Sequence, residues 1–452
     1  MPSILVSPVA DSVTILPAPH LFSWRPLNGL QKMMLRWETI QPLNAIHLLT
    51  IAGNPDAGEV RRAVKIAVQR HIPGPVLFSD CQNQFRCLAA AEHNCQLEIS
   101  VHDESTASEN LQQKLLHHEL NTPFPNTAAW PYRFHAVLAS NNTWTLQIAY
   151  RHALQDGSST MALARTILRS LRNLPTSAPL GLADNLFGDI PAFHNNGSPL
   201  QMAPAILKEI ITGLTSRRIR PRWNPPDQFV TGLDSAGICV AEALANARRQ
   251  KVKLQDVLLA ATHEAMQQIS VPHGLRNRIG LYTPVDLRRE AVPPVPEACG
   301  QILGGYTLRF QCRKTPFAEL VQQFAAETQR IKQSGYHRLY ERHVNFMSFI
   351  WDRLPNWGNE VAGPFLAPIT AALSNLNSNE FMTEELQCGQ LLNYSRFTGT
   401  GIMTSLMLGM TTCGNSLNLS TTHHSMLYSE AEMTEVRRHI QSRLLGLDPA
   451  RQ

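Results

Sequence analysis

The run IAYRHALQDGSST, Ile148 to Thr160, places His152, Asp156 and Gly157 in one short turn between an alternating apolar stretch and a stretch of helical periodicity. An imidazole has an ordinary pKa of about 6.5, so it can take a proton and return it near neutrality. A carboxylate and a glycine follow it within the same turn. Side chains alternate along a strand, so Trp144, Leu146, Ile148, Tyr150 and His152 share one face while Thr145, Gln147, Ala149 and Arg151 share the other. His152 therefore continues an apolar face into the turn, and Arg151 points the other way, which suits structure better than catalysis. A single His-x-x-x-Asp-Gly string reads equally well as a satisfied core histidine beside an ordinary Asp-Gly turn. Its surroundings have to decide.

Rival chemistries find little footing. His117 with His118 and His423 with His424 are adjacent pairs, which diverge on a strand or a helix and start a metal site poorly. The string HEAMQ at His263 lacks the second histidine of a zinc protease, and neither a G-x-S-x-G nor a G-x-G-x-x-G string occurs. The eight cysteines form no C-x-x-C pair, the pattern of reduced thiols rather than of a disulfide framework or a zinc site. No metal is expected.

The elements that must position His152 come from a chain of 452 residues, enough for two units. It is 43% hydrophobic and 17% charged, with 30 prolines, the make-up of a folded protein. The formal net charge of +5 is scattered, and SRRIRPR and DLRRE are too short to track a nucleic-acid backbone. No run approaches the roughly 18 to 20 apolar residues of a membrane span. The first residues lack a basic leader and are broken by prolines, so a cytoplasmic protein is expected.

Strand and helix alternate from Leu30 on. AIHLLTIAG reads as a strand, followed by a helix from Asp56 with Val60, Ala63, Val64, Ile66 and Ala67 on one face. CQLEISVHD is a second strand, Leu111 to Leu120 a helix, and YRFHAVLAS with TWTLQIAYRH a hairpin joined at the asparagines. The following helix takes Ser158 or Ser159 as its N-cap. A Pro, Gly and Asn-rich stretch then suggests a boundary: residues 1–175 as a first unit, 176–228 as a linker and 229–452 as a second unit. The second unit repeats the style, with strands in RIGLYTPVDLR and ILGGYTLRFQC and a helix opened by Thr315 with Pro316 in its first turn. It closes on a hairpin in GIMTSLMLGMTTCGNSLNLSTTH and a helix with Ser429 and Glu432 as a capping box.

The stretch HELNTPFPNTAAWPYRFHAVLASNNTWTLQIAYRHALQDGSSTMALARTIL resembles the approach to the His-x-x-x-Asp-Gly motif of the chloramphenicol acetyltransferase-like superfamily. That superfamily includes non-ribosomal peptide condensation domains, alcohol acetyltransferases and polyketide-associated acyltransferases. LQKMMLRWETIQPLNAIHLLTIAG is similar to its first helix and strand, and LQDVLLAATHEAM, YTPVDLRRE and ALSNLNSNE to its second-lobe markers, in order. The resemblance implies an α/β fold of two chloramphenicol acetyltransferase-like lobes, mixed sheets with helices, set in a V around a central channel. It implies a standalone acyltransferase of natural-product or lipid biosynthesis, without metal or bound cofactor. The acyl donor would be a thioester of coenzyme A or of an acyl or peptidyl carrier protein, and the acceptor a small-molecule hydroxyl or amine. His152 would be the general base, Asp156 would hold the turn that aims its ring, and Gly157 would keep the channel floor clear beside the reacting centre. Asp156 would pair with Arg288 of the second lobe, Arg289 being the rival, or else only cap the helix behind it. Ser374 or Asn375 would serve the oxyanion. Two departures stand out: Arg151 where condensation domains usually carry a first histidine, and Gln301 where related acetyltransferases often carry asparagine. An inert module that docks a carrier protein is the alternative from another class.

Overall fold

The computed structural model describes residues 22–79, 81, 83–103, 111–139, 141–174, 207–208, 211–217, 228–233, 237–270, 276–290, 294, 300–339, 344, 368–402 and 404–449. Most of the expected linker, and Cys299, lie outside them. The strands, in chain order, are β1 Arg25–Pro26, β2 Asn44–Ala52, β3 Val76–Phe78, β4 Gln84–Cys87, β5 Glu98–Asp103, β6 Tyr132–Leu138, β7 Thr143–Arg151, β8 Phe229–Leu233, β9 Ile238–Cys239, β10 Arg278–Asp286, β11 Leu303–Gln311, β12 Ala371–Asn377, β13 Leu391–Thr398, β14 Leu406–Cys413 and β15 Ser416–His424. The longer helices are α1 Gly29–Glu38, α2 Ala57–His71, α3 Leu111–Asn121, α4 Gly157–Leu171, α5 Val240–Arg249, α6 Leu254–Ile269, α7 Phe317–Ser334 and α8 Glu430–Leu445.

Two mixed sheets dominate. The first has the order β13-β2-β7-β6-β5, antiparallel except where β5 joins β6. The second runs β11-β10-β12-β14-β15-β8, with β12 parallel to both its neighbours and β9 also on β15. A small sheet of β1, β4 and β3 stands apart. The alternation of β7 buries Trp144, Leu146, Ile148 and Tyr150 with the apolar stripes of α2 and α4 in one core. Helices α5 to α8 cover the second sheet and share the other large core. Capping boxes of Asn28 with Gln31, Asp56 with Glu59 and Ser429 with Glu432 start α1, α2 and α8.

The edge strand β13 comes from between two strands of the second sheet, yet it pairs antiparallel with β2 of the first. It satisfies the backbone groups that β2 would otherwise leave as a bare edge. Side chains of the second sheet hold it from behind: Asn418 Nδ2 donates to the Tyr394 carbonyl at 2.8 Å, and Ser420 Oγ donates to the Arg396 carbonyl. The division into residues 1–175 and 229–452 does not foresee this crossing.

Three local expectations are corrected. Helix α4 has Asp156, not Ser158 or Ser159, as its N-cap, because the Asp156 carboxylate accepts the Ser159 backbone N–H at 2.9 Å. Pro316 is the cap residue of α7 rather than part of its first turn. Ile66 lies on the open side of α2, 37% exposed, since the stripe of Val60, Ala63, Val64 and Ala67 is already full.

The packing also dictates a response to acid. Burial pushes the imidazoles of His71, His263 and His423 down to about 4, and those of His47 and His152 below their ordinary value. In the unfolded chain these rings take protons near pH 6.5, so the unfolded state binds more protons as pH falls. Stability is therefore full above about pH 6.5 and is lost progressively toward pH 4. Urea midpoints measured from pH 7.5 to 4 should fall through this window; a flat profile contradicts the assignment of neutral buried rings.

Candidate active site

The turn after β7 is built by backbone bonds: Leu154 N–H and Gln155 N–H both donate to the Arg151 carbonyl, at 3.0 and 3.2 Å. This folds Gln155 back beneath the ring of His152, whose Nδ1 lies 3.0 Å from the Gln155 carbonyl oxygen. A carbonyl only accepts, so Nδ1 carries the proton of the neutral ring and Nε2 is the basic nitrogen. Burial pulls the imidazole pKa below its ordinary value, against the opposing pull of the Gln155 carbonyl and the Asp156 carboxylate. The ring is a neutral base at pH 7.

Arg151 faces away. Its Nε donates to Glu38 at 2.7 Å, its Nη groups reach Pro125 and Asn126, and its plane stacks over Phe78. It ties α1 to the turn between α3 and β6 and takes no place beside His152.

Asp156 serves two ends at once. Its Oδ1 accepts from the Ser159 backbone as the helix cap, and both its oxygens accept from Arg288, Oδ2 from Nη1 at 2.9 Å and Oδ1 from Nη2 at 2.8 Å. The Ile302 N–H adds a further bond to Oδ2 at 3.0 Å. Pairing and capping, posed as alternatives from sequence, thus coexist. Arg288 Nη2 also reaches Ser159 Oγ and the Gly300 carbonyl, and Nη1 reaches Asp286. Asp156 is fully buried and Arg288 only 1% exposed. Burial alone would lower the guanidinium pKa, but the carboxylates of Asp156 and Asp286 outweigh it and hold the group charged. Arg289, the rival, pairs with Glu380 on the surface.

His152, Gly157, Ser374 and Asn375 line one cavity of about 140 Å³, with Tyr150, Asp286 and Arg396. Ser374 and Asn375 come from β12 of the second sheet and His152 from the end of β7 in the first, so residues far apart in sequence meet across it. Gly157 is required for a specific reason. A Cβ there would stand 2.8 Å from Arg396 Nη1 and 3.8 Å from His47 Nε2, so the space is already occupied by a guanidinium. Gln301 is buried, its amide 3.3 Å from the Met34 sulfur.

Sequence reasoning missed Arg396, His47 and Asp286. His47 lies in β2 with Nδ1 hydrogen-bonded to the Tyr394 hydroxyl, and burial, then Arg396 and His152, keep its ring neutral. Asp286 accepts from Ser158 Oγ at 2.6 Å. The one available signal was Arg396 itself, a lone charge inside the otherwise apolar and neutral run LLNYSRFT. Among the described residues no three His, Cys, Asp or Glu side chains are grouped to hold a metal ion, and no helix is long and apolar enough to cross a membrane.

Solved structures supply the fold's relatives. The first condensation domain of the calcium-dependent antibiotic synthetase, in complex with a substrate analogue, superposes with a TM-score of 0.68 at 15% identity, over 95% of this chain and 98% of that one. The EpoB cyclization-docking bidomain from Sorangium cellulosum gives 0.67 at 12% identity, over 96% and 86%. The epimerization domain from the third module of tyrocidine synthetase B gives 0.64 at 14%, over 94% and 96%. No protein-family model matches the sequence, and no curated protein matches it. The chain therefore has the chloramphenicol acetyltransferase-like fold of condensation domains, at sequence identities that speak for the fold alone.

Proposed function

We propose that the protein is a condensation-type acyltransferase that moves an acyl group from a thioester, on coenzyme A or a carrier protein, to a hydroxyl or amine acceptor. The observation that carries this reading is the geometry of His152: a neutral imidazole, its Nδ1–H held by the Gln155 carbonyl, on the wall of a cavity that both sheets line. Nε2 takes the acceptor proton as the acceptor attacks the thioester carbonyl, forming the new C–O or C–N bond. The resulting oxyanion meets a donor on the Ser374 and Asn375 side of the cavity. Collapse of that intermediate breaks the C–S bond, and the imidazolium returns the proton to the departing thiolate. Asp156 and Arg288 are positioning residues that hold the turn from below. Two lobes, residues 1–175 and 229–452, would then close on the site from either side, with a channel admitting donor and acceptor.

The test is incubation of the purified protein with a panel of acyl thioesters and amine or alcohol acceptors, read by mass spectrometry. Acylated acceptor should form together with free thiol in equal amounts. A folded protein that binds thioesters and yields no product with any pair fits a carrier-docking module instead.

A further inference from the structure

Arg396 is a buried cation that the reaction above leaves unused. In the register of the first sheet Arg396 stands opposite His47, and His47 opposite Ile148, so Arg396 projects from the face that carries Ile148, Tyr150 and His152. It is 7% exposed and lines the same cavity as His152. Its Nε donates to Thr411 Oγ1 at 3.3 Å, and its Nη2 to the carbonyls of Ser374 at 3.1 Å and Met410 at 3.4 Å. Among the described residues Nη1 makes no hydrogen bond and the guanidinium forms no ion pair; Asp156, the carboxylate that acts on it electrostatically, is bound to Arg288. The other groups around it, Tyr150, Tyr394 and the neutral ring of His47, bring no negative charge.

A guanidinium removed from water without a carboxylate is unfavourable, and a protein keeps one where an anion completes it. Its planar fork matches a carboxylate better than a point anion. Around it the cavity is small and largely apolar, walled by Met33, Met34, Trp37 and Leu43. The missing Cβ of Gly157 makes the room that Nη1 occupies at the motif itself, within the turn that carries His152. We infer that Arg396 is a specificity residue that receives a carboxylate borne by the substrate next to its reacting atoms. Two substrates present that chemistry: an amino-acid acceptor, through its α-carboxylate, or a dicarboxylic half-thioester donor, through its distal carboxylate.

This inference rests on the acyl-transfer reading, so its test separates the two. Matched pairs are compared in kcat/KM: alanine against ethylamine as acceptor, and succinyl-coenzyme A against butyryl-coenzyme A as donor. The wild-type protein should favour the carboxylate member of one pair by about 10- to 100-fold. Arg396→Gln should bring that ratio close to one, and Arg396→Lys, which keeps the charge but loses the fork, should restore part of it. The pair that responds identifies the source of the carboxylate. Calorimetric binding of succinate and of alanine to the wild-type and Gln proteins needs no turnover; affinity lost in the variant upholds the carboxylate subsite even if no acyl transfer is found. A Gln variant, folded by circular dichroism, that weakens charged and neutral substrates equally, or preserves the ratio, overturns the inference.

Discussion

Asp156→Asn and Arg288→Ala each destabilise the fold by about 3 to 5 kcal/mol, and the two losses do not add. The pair is bidentate at 2.8 and 2.9 Å between a fully buried carboxylate and a guanidinium only 1% exposed, so removing one partner strands a charge without water. The Asn variant isolates the charge from the cap, because asparagine caps a helix as well as aspartate and can still accept the Ser159 N–H. Its loss should lie at the lower end, since Asp286 remains on Arg288 at 3.1 Å. Arg288→Ala leaves Asp156 with the Ile302 and Ser159 donors but no countercharge, and should lie at the upper end. Urea unfolding of the wild type, both single variants and the double variant measures the coupling. A coupling below about 0.5 kcal/mol means the two residues are not energetic partners, whatever their distance.

Much of this arrangement is legible in the chain because it is local or periodic. The alternation of β7 states which face His152 joins, and the position of Asp156, four residues on, places it where both a helix cap and a buried partner are within reach. Even there residue type does not decide the cap: Ser158, Ser159 and Asp156 all suit it, and only the built turn shows Asp156 in that place while Ser159 bonds Gly300 and Arg288 through its hydroxyl. What sequence cannot convey is the crossing of β13. Nothing in LLNYSRFT distinguishes a strand that stays with β12 and β14 from one that leaves to pair with β2, because both sheets offer it an apolar face. That single topological choice brings Arg396 to His152, so the missed residue and the missed strand are one omission. Gly157 shows the same limit. The family resemblance implies clearance there, and the sequence does not say that the Arg396 side chain also takes up the space beside it.

Loss of the His152 imidazole should lower turnover by about 10² to 10⁴ while leaving folding and thioester binding nearly intact. The ring bonds to the Gln155 carbonyl and meets Tyr150 edge-on, and it stands at a cavity wall rather than inside a packed core. Truncation to alanine therefore enlarges an existing space instead of opening a new one, and the backbone bonds of the turn do not involve the side chain. The acid limb of the wild-type pH–rate profile supplies an independent check. Only the neutral ring accepts a proton, and burial lowers its pKa, so the rate should hold down to below the ordinary imidazole value of about 6.5 before falling. His152→Ala should lose that limb together with the rate. Should the folded alanine variant retain near-normal turnover, or keep the same acid limb, proton transfer belongs to another group and the assignment of His152 as base fails.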